Sequence, residues 1–100
     1  MTNRLDLHKK LLQFYTNLYF QPPENIVIKY PCIIYQRVVD ETWHADGLAY
    51  IIKKKYDITI IEKDPESDVA DRMVQQLPYS KVTQRYITDN LYHTKIELYD

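Results

Sequence analysis

The chain has 100 residues, of which 45% are hydrophobic and 27% are charged, and this composition predicts a single domain over 1–100 with one modest core. Its single glycine argues against phosphate-binding loops and glycine-rich linkers. Its formal net charge of −1 argues against a protein that holds nucleic acid by neutralising phosphates.

Charge is unevenly distributed along the chain. Residues 1–55 contain 8 basic and 5 acidic residues, a net charge of +3, whereas residues 56–100 contain 5 and 9, a net charge of −4. This asymmetry is compatible with head-to-tail association of identical subunits, and equally with an ordinary solvated surface.

Cys32 is the only cysteine, so no disulfide can form within the chain and a reducing compartment is expected. Its apolar neighbours predict a buried thiol that behaves as a small hydrophobe. The N-terminal residues lack the apolar stretch of a secretory signal, and no apolar run approaches the roughly 18 residues of a membrane span. We therefore expect no membrane association.

The first predicted element is a helix over residues 3–19, which the consecutive prolines Pro22 and Pro23 bring to an end. A short extended segment is predicted at 26–28, where the side chains are β-branched. The helix is predicted because four apolar residues recur at a spacing that places them on one face: Leu7, Leu11, Phe14 and Leu18.

A long β-hairpin is predicted next. Residues 32–39 form its first strand, and residues 49–63 alternate between apolar and polar side chains in its second strand. The polar stretch 40–47, which contains the only glycine, forms the tip of this hairpin.

A second helix is predicted from Asp64, which can cap it, to Leu77. Residues 80–88 and 91–99 predict a closing hairpin with a short turn. The resulting order, α-β-β-α-β-β, predicts an α+β fold in which two helices pack on one face of an antiparallel sheet of about four strands.

No catalytic motif, cofactor-binding loop or metal-ligand spacing is found in the sequence. A nucleophilic site built from Cys32 and His93 stays open as an alternative, as does a loose cation site in the loop from Asp40 to Asp46. An inert thiol and a solvated loop are favoured. We therefore expect no enzyme activity, no cofactor and no metal.

Ten tyrosines are the main compositional feature of the chain. Tyrosine combines apolar area with a hydroxyl that tolerates water, so interfaces are enriched in it, although strands also use it freely. The lysine run at 53–55 would suit an acidic partner or simply a solvated strand. The side chains predicted to contact a neighbouring subunit or partner are Trp43, His44, Tyr50, Lys53, Lys55, Tyr79 and Tyr99.

Several strings stand in a recognisable order: YPCIIY at 30–35, YDITIIEKDPES at 56–67, LP at 77–78 and DNLYH at 89–93. In this order they resemble the small tail-completion proteins of long-tailed bacteriophages, also called tail terminators or tail-to-head joining proteins. The likeness runs from about residue 18 to the end of the chain. Its most specific pieces are KDPES and DNLYH, while Tyr92 and the segment 82–85 depart from the family pattern.

The resemblance implies a virion protein of the phage neck that forms a ring of six copies, assembled in the host cytoplasm. Such a ring caps the tail-tube protein, stops tube growth and joins the tail to the head-completion, or connector, proteins. DNA passes through its channel without specific binding. The alternatives are another neck ring, such as a head-side adaptor or stopper, and a small non-catalytic inhibitor or regulator.

Overall fold

The fold consists of a five-stranded mixed sheet with two helices packed on it. A separate two-stranded hairpin lies in the chain between two strands of this sheet. These elements are seen in a computed structural model that describes residues 4–23, 25–38, 41–45 and 47–99, the side chains of the two-stranded hairpin excepted. In chain order they are α1 (Arg4–Leu12), β1 (Leu18–Phe20), β2 (Cys32–Arg37), β3 (Glu41–Ala45), β4 (Leu48–Lys53), β5 (Lys55–Glu62), α2 (Val69–Gln76), β6 (Ser80–Thr88) and β7 (Leu91–Tyr99).

The strand order in the large sheet is β1-β2-β5-β7-β6. β1 runs parallel to β2, and the other three neighbouring pairs are antiparallel. The predicted α+β class is confirmed. The predicted sheet of about four antiparallel strands is wrong in detail, because it did not include the parallel strand β1. The predicted order α-β-β-α-β-β is also incomplete, because it treated the residues of β3 as a loop.

The first helix ends at Leu12, well before the end predicted for 3–19. Leu18–Phe20 instead form β1 beside β2, and the amide of Ile33 donates a hydrogen bond to the carbonyl of Asn17 at 2.9 Å. The apolar side chains of β1 pack against the core. Burial in the sheet thus outweighs a local pattern that also suits a helix.

The long predicted hairpin is divided between two sheets. β2 pairs with β5 along its whole length, and a hydrogen bond from the amide of Val38 to the carbonyl of Lys55, at 2.9 Å, continues the ladder. Lys54 separates β4 from β5, so the strand predicted over 49–63 is two strands. β3 and β4 pair with each other in a second sheet, so the tip predicted at 40–47 contains a strand.

The second helix begins at Val69, later than predicted. Asp64 caps a turn instead of the helix: its side chain accepts the amide of Glu66 at 2.9 Å, and its carbonyl accepts the amide of Ser67 at 3.4 Å. Aspartate satisfies its own following backbone in this way when it starts a turn.

Residues 26–28, predicted to be extended, are not a strand of either sheet. Ile26 and Val27 are 40% and 82% exposed. The segment approaches the sheet through Lys29, whose amide donates to the hydroxyl of Tyr19 at 3.3 Å. Its β-branched residues therefore have no neighbouring strand on which to pack.

The core lies between the two helices and one face of the large sheet. Leu7 and Leu11 of α1 and Met73 of α2 are fully buried there, in one cluster with residues of β2, β5 and β7. Every second residue of β7 from Thr94 to Leu98 is buried, which confirms the predicted alternation.

The closing hairpin has the predicted bounds, with β6 and β7 joined by two residues. Those residues, Asp89 and Asn90, have φ angles of 52° and 60°. Positive φ at both positions is the geometry of a tight hairpin turn that matches the twist of its strands, and aspartate and asparagine tolerate it.

Candidate functional site

Three of the predicted contact residues lie together at one end of the large sheet. Lys55 begins β5 and is the register partner of Tyr99 at the end of β7. The amide of Tyr99 donates to the carbonyl of Tyr79 at 3.1 Å. We call this group, with Glu97, the Tyr79 corner.

Charge pairing organises the Tyr79 corner. The Lys55 ammonium contacts one carboxylate oxygen of Glu97, and Lys81 lies 3.6 Å from the other. The hydrogen bond from Lys55 holds the pKa of Glu97 below its ordinary value and raises the pKa of Lys55 itself. The Lys55 ammonium also lies 5.8 Å from the ring centre of Tyr99, within cation–π range.

Tyr79 is the most exposed side chain of this corner, at 78% of its surface. Its φ is 59°, in the left-handed region that costs a non-glycine residue about 1–2 kcal/mol. Tyr79 lies in the turn between α2 and β6, and positive φ angles also occur at the turn residues Asp89 and Asn90. From this turn Tyr79 exposes its side chain to solvent.

The other predicted contact residues lie on the hairpin formed by β3 and β4. In its backbone register Trp43 pairs with Ile51 and His44 with Ala49, so that Tyr50 falls at a bulge. Lys53 ends β4, two residues before the corner. The structure therefore places the hairpin at the same end of the sheet as the Tyr79 corner.

The hairpin is unusual because it is a sheet of two strands. Two strands alone are marginally stable in water, and a third strand or a packed face normally supports them. The sequence of β4 is LAYIIK, which is strongly apolar.

A cavity of about 390 Å³ lies at the opposite end of the large sheet. We call it the Glu62 cavity. It is formed where β5 ends, where the turn before α2 begins and where β6 meets β7. Its lining includes Glu62, Asp64, Ser67, Arg85, Ile87 and Tyr92.

Glu62 is the buried carboxylate of this cavity, with 5% of its surface exposed. One of its oxygens, Oε2, accepts hydrogen bonds from the hydroxyls of Tyr15 and Ser67. Burial, followed by the hydrogen bond to Glu62, raises the pKa of Tyr15 to about 12. The sequence analysis missed this site, although an acidic residue directly after the apolar pair Ile60-Ile61 was a signal for it.

The structure does not bring the suggested nucleophilic pair together. Cys32 is fully buried, and burial raises the pKa of its thiol to about 11. Ile61 is the register partner of both Cys32 and His93, so a whole strand, about 10 Å across two strand spacings, separates the pair. The His93 ring stacks on Tyr86 at 4.7 Å instead.

The suggested cation loop falls partly outside the described residues, since Asp40 and Asp46 are not among them. Within the part of the chain that the structure describes, no three histidine, cysteine or acidic side chains are grouped as metal ligands would be. No described helix is long and apolar enough to cross a membrane.

No family model, curated protein or solved structure matches this chain. Its function is therefore inferred from its own residues and contacts.

Proposed function

We propose that this protein is a tail-completion protein of a long-tailed bacteriophage, a structural subunit that closes into a ring and caps the tail tube. The observation that carries the proposal is the two-stranded hairpin with an apolar strand, a feature that calls for support from a neighbouring molecule. The hairpin and the Tyr79 corner would form one side of the contact between subunits.

The edge strand β6, which begins directly after Tyr79, offers a different surface for the other side of that contact. β6 is a nine-residue edge strand whose one neighbour in the sheet is β7. Long edge strands are templates for pairing with another chain unless they are blocked or used. Two unlike surfaces on one chain give head-to-tail contacts, and such contacts produce a ring when the rotation between subunits closes.

The strings that carry the family resemblance also favour a shared surface. KDPES contributes Asp64 and Ser67 to the Glu62 cavity, and DNLYH contributes Tyr92 and His93. These strings are separated in sequence and adjacent in the fold. Residues held together in this way are expected to serve one contact.

The proposed partners are further copies of this chain, the tail-tube protein and the head-completion proteins. The near-neutral net charge suits a channel through which DNA slides without being held. The ring would belong to the virion neck and assemble in the host cytoplasm by surface complementarity alone, with no bond made or broken.

The proposal is tested by particle size and by location. Light scattering and negative-stain images of the purified protein should show closed rings, and virion maps should place it at the joint between head and tail. A protein that is strictly monomeric and absent from virions would overturn the proposal. Contact with a head-side ring alone would instead identify it as an adaptor or stopper.

A matched pair of variants addresses the contact itself. Tyr79→Ala removes an exposed ring from the corner and should shift the assembly toward monomers. Val27→Ala, at a position with similar exposure outside the corner, should leave it unchanged. Equal effects, or no effect of Tyr79→Ala, would argue against the corner as a subunit contact.

A further inference from the structure

The Glu62 cavity contains a buried carboxylate with unused acceptor capacity. Both hydrogen bonds to Glu62 reach Oε2, and within the described part of the chain none reaches Oε1. An ionised carboxylate has about four acceptor positions, and a buried one requires compensation by donors or a positive charge. The cavity beside Glu62 therefore favours a cationic group that donates hydrogen bonds.

Two arginines close to the cavity are engaged elsewhere, and Lys63, which follows Glu62 in sequence, is exposed and forms no ion pair with a described residue. Arg85 lines the cavity, but its guanidinium bonds to Asp71 at 3.2 Å. Arg72 bonds to Asp68 at 3.1 Å. In the described structure neither arginine forms an ion pair with Glu62, so its counter-charge is expected from outside this subunit.

The walls of the cavity suit a long side chain that ends in a charge. Ile87, Pro65 and the ring of Tyr92 provide apolar surface for an alkyl stem. An aromatic wall also attracts a cation through its π face. The volume of about 390 Å³ lies near the lower end of the roughly 300–1,000 Å³ typical of ligand pockets, which is ample for one side chain.

The lysine run at 53–55 lies at the other end of the same sheet. β5 runs from Lys55 to Glu62, so the two ends are about 23 Å apart and the run cannot reach Glu62 of its own chain. Lys55 is paired with Glu97, whereas Lys54 is partly exposed and forms no ion pair with any described residue.

We propose that the Glu62 cavity binds the ammonium group of Lys54 from a second copy of this chain. The contact joins the lysine end of one subunit to the carboxylate end of the next, and repetition of it gives a head-to-tail assembly. This inference adds to the proposed function a specific contact between neighbouring subunits. It rests on the proposed function only in assuming that the head-to-tail assembly closes into a ring.

Disulfide trapping tests the contact between copies. In a Cys32→Ala background, one preparation carries Ile87→Cys at the cavity rim and another carries Lys54→Cys. Mixing and mild oxidation should give a dimer of the two chains on a non-reducing gel. Leu5→Cys, which is 61% exposed against 64% for Ile87, replaces the rim cysteine as the control and should give none. If the yield of disulfide-linked dimer is no greater with the Ile87→Cys chain than with the Leu5→Cys chain, the inference is overturned.

Charge removal gives a second measurement. Lys54→Met and Glu62→Gln should each weaken self-association at least about tenfold by light scattering, as expected for loss of a desolvated charge pair. Glu66→Gln, which alters an exposed carboxylate that does not line the cavity, should change self-association less than about twofold. Lys54 is outside the core, so its variant tests the contact even if Glu62→Gln does not fold.

The outcomes separate this inference from the ring itself. Rings that form unchanged from Lys54→Met overturn the Lys54–Glu62 contact and leave the proposed function standing. If Glu62→Gln weakens self-association and Lys54→Met does not, the cavity binds a different basic group and the inference is also overturned. A trapped dimer of a protein absent from virions would support the contact and refute the phage role.

Discussion

Burial, more than a charged neighbour, sets the titration of two side chains. It raises the pKa of the Cys32 thiol to about 11 and is the first cause of the pKa of about 12 at Tyr15, ahead of Glu62. Buried acids are shifted upward because a low-dielectric interior disfavours the charged form. At Glu97 the order is reversed, since the hydrogen bond from Lys55 outweighs desolvation and lowers the pKa.

The Cys32 thiol is expected to be unreactive in the folded protein. At pH 8 a pKa of about 11 leaves about one thiolate in a thousand, against about a quarter in the unfolded chain. Reaction with Ellman's reagent should be at least about a hundredfold slower in buffer than in denaturant, and Cys32→Ala should show no signal. The raised pKa stabilises the fold below about pH 8.5, and this contribution is lost as the pH rises toward about 11. Fast labelling of the native protein at neutral pH would contradict this.

Glu97 should make the stability of the protein sensitive to acid. Its pKa is lowered in the folded state, so its contribution is present above the unfolded value of about 4.3 and is lost as pH falls through the folded value. The urea midpoints of wild type and Glu97→Gln should therefore differ at pH 7, and the difference should shrink as the pH falls below about 4.3. Glu66→Gln, at an exposed turn position, is the control and should follow wild type throughout.

Local patterns predicted the elements whose partners are close in sequence. β6 and β7 were predicted with the bounds 80–88 and 91–99 because residues 91–99 alternate and Asp89-Asn90 fits a tight turn. Residues 18 and 19 were included in the helix predicted over 3–19, since only pairing with the distant strand β2 makes Leu18–Phe20 a strand. Long-range parallel pairing leaves no local signature that a single sequence can show.

The candidate site was predictable to a similar extent. Lys55, Tyr79 and Tyr99 were selected as exposed contact residues, and the structure places them at one corner. The Glu62 cavity was not predicted, because it needs the turn at Asp64 to meet the end of β7. Sequence shows which side chains are polar or aromatic, whereas convergence depends on the strand order.

The packing of α1 can be tested with adjacent leucines. Leu11 is fully buried, while Leu12 is 41% exposed. Leu11→Ala should lower the free energy of unfolding by about 2–5 kcal/mol, the usual cost of truncating a buried leucine. Leu12→Ala should change it by no more than about 0.5 kcal/mol. Similar losses for both variants in urea titrations would show that α1 is packed on a different face.

The large sheet is complete without the hairpin of β3 and β4. The bond from the amide of Val38 to the carbonyl of Lys55 closes the ladder between β2 and β5 at the point where the hairpin leaves. A two-residue turn can join strands at such a position. Among the described residues the hairpin forms no strand pair with the large sheet, so its backbone leaves that sheet beyond this bond.

Replacement of residues 39–54 by Asn-Gly should therefore preserve the fold and abolish self-association. We expect the free energy of unfolding to change by less than about 1 kcal/mol, since shortening a loop alters its closure entropy only slightly. Circular dichroism with a thermal melt measures the first effect and light scattering the second. Loss of the melting transition would show that the hairpin is part of the core.

The point at which the hairpin leaves the large sheet also bears on how such a protein changes over evolutionary time. Insertions, deletions and exchanges between Val38 and Lys55 leave in place every core side chain that the structure describes, so selection on that core hardly restrains them. Sequence and length should drift fastest there, and slowest along β5 and β7. A lineage could then acquire a new neighbour by recombination within one short stretch of its gene.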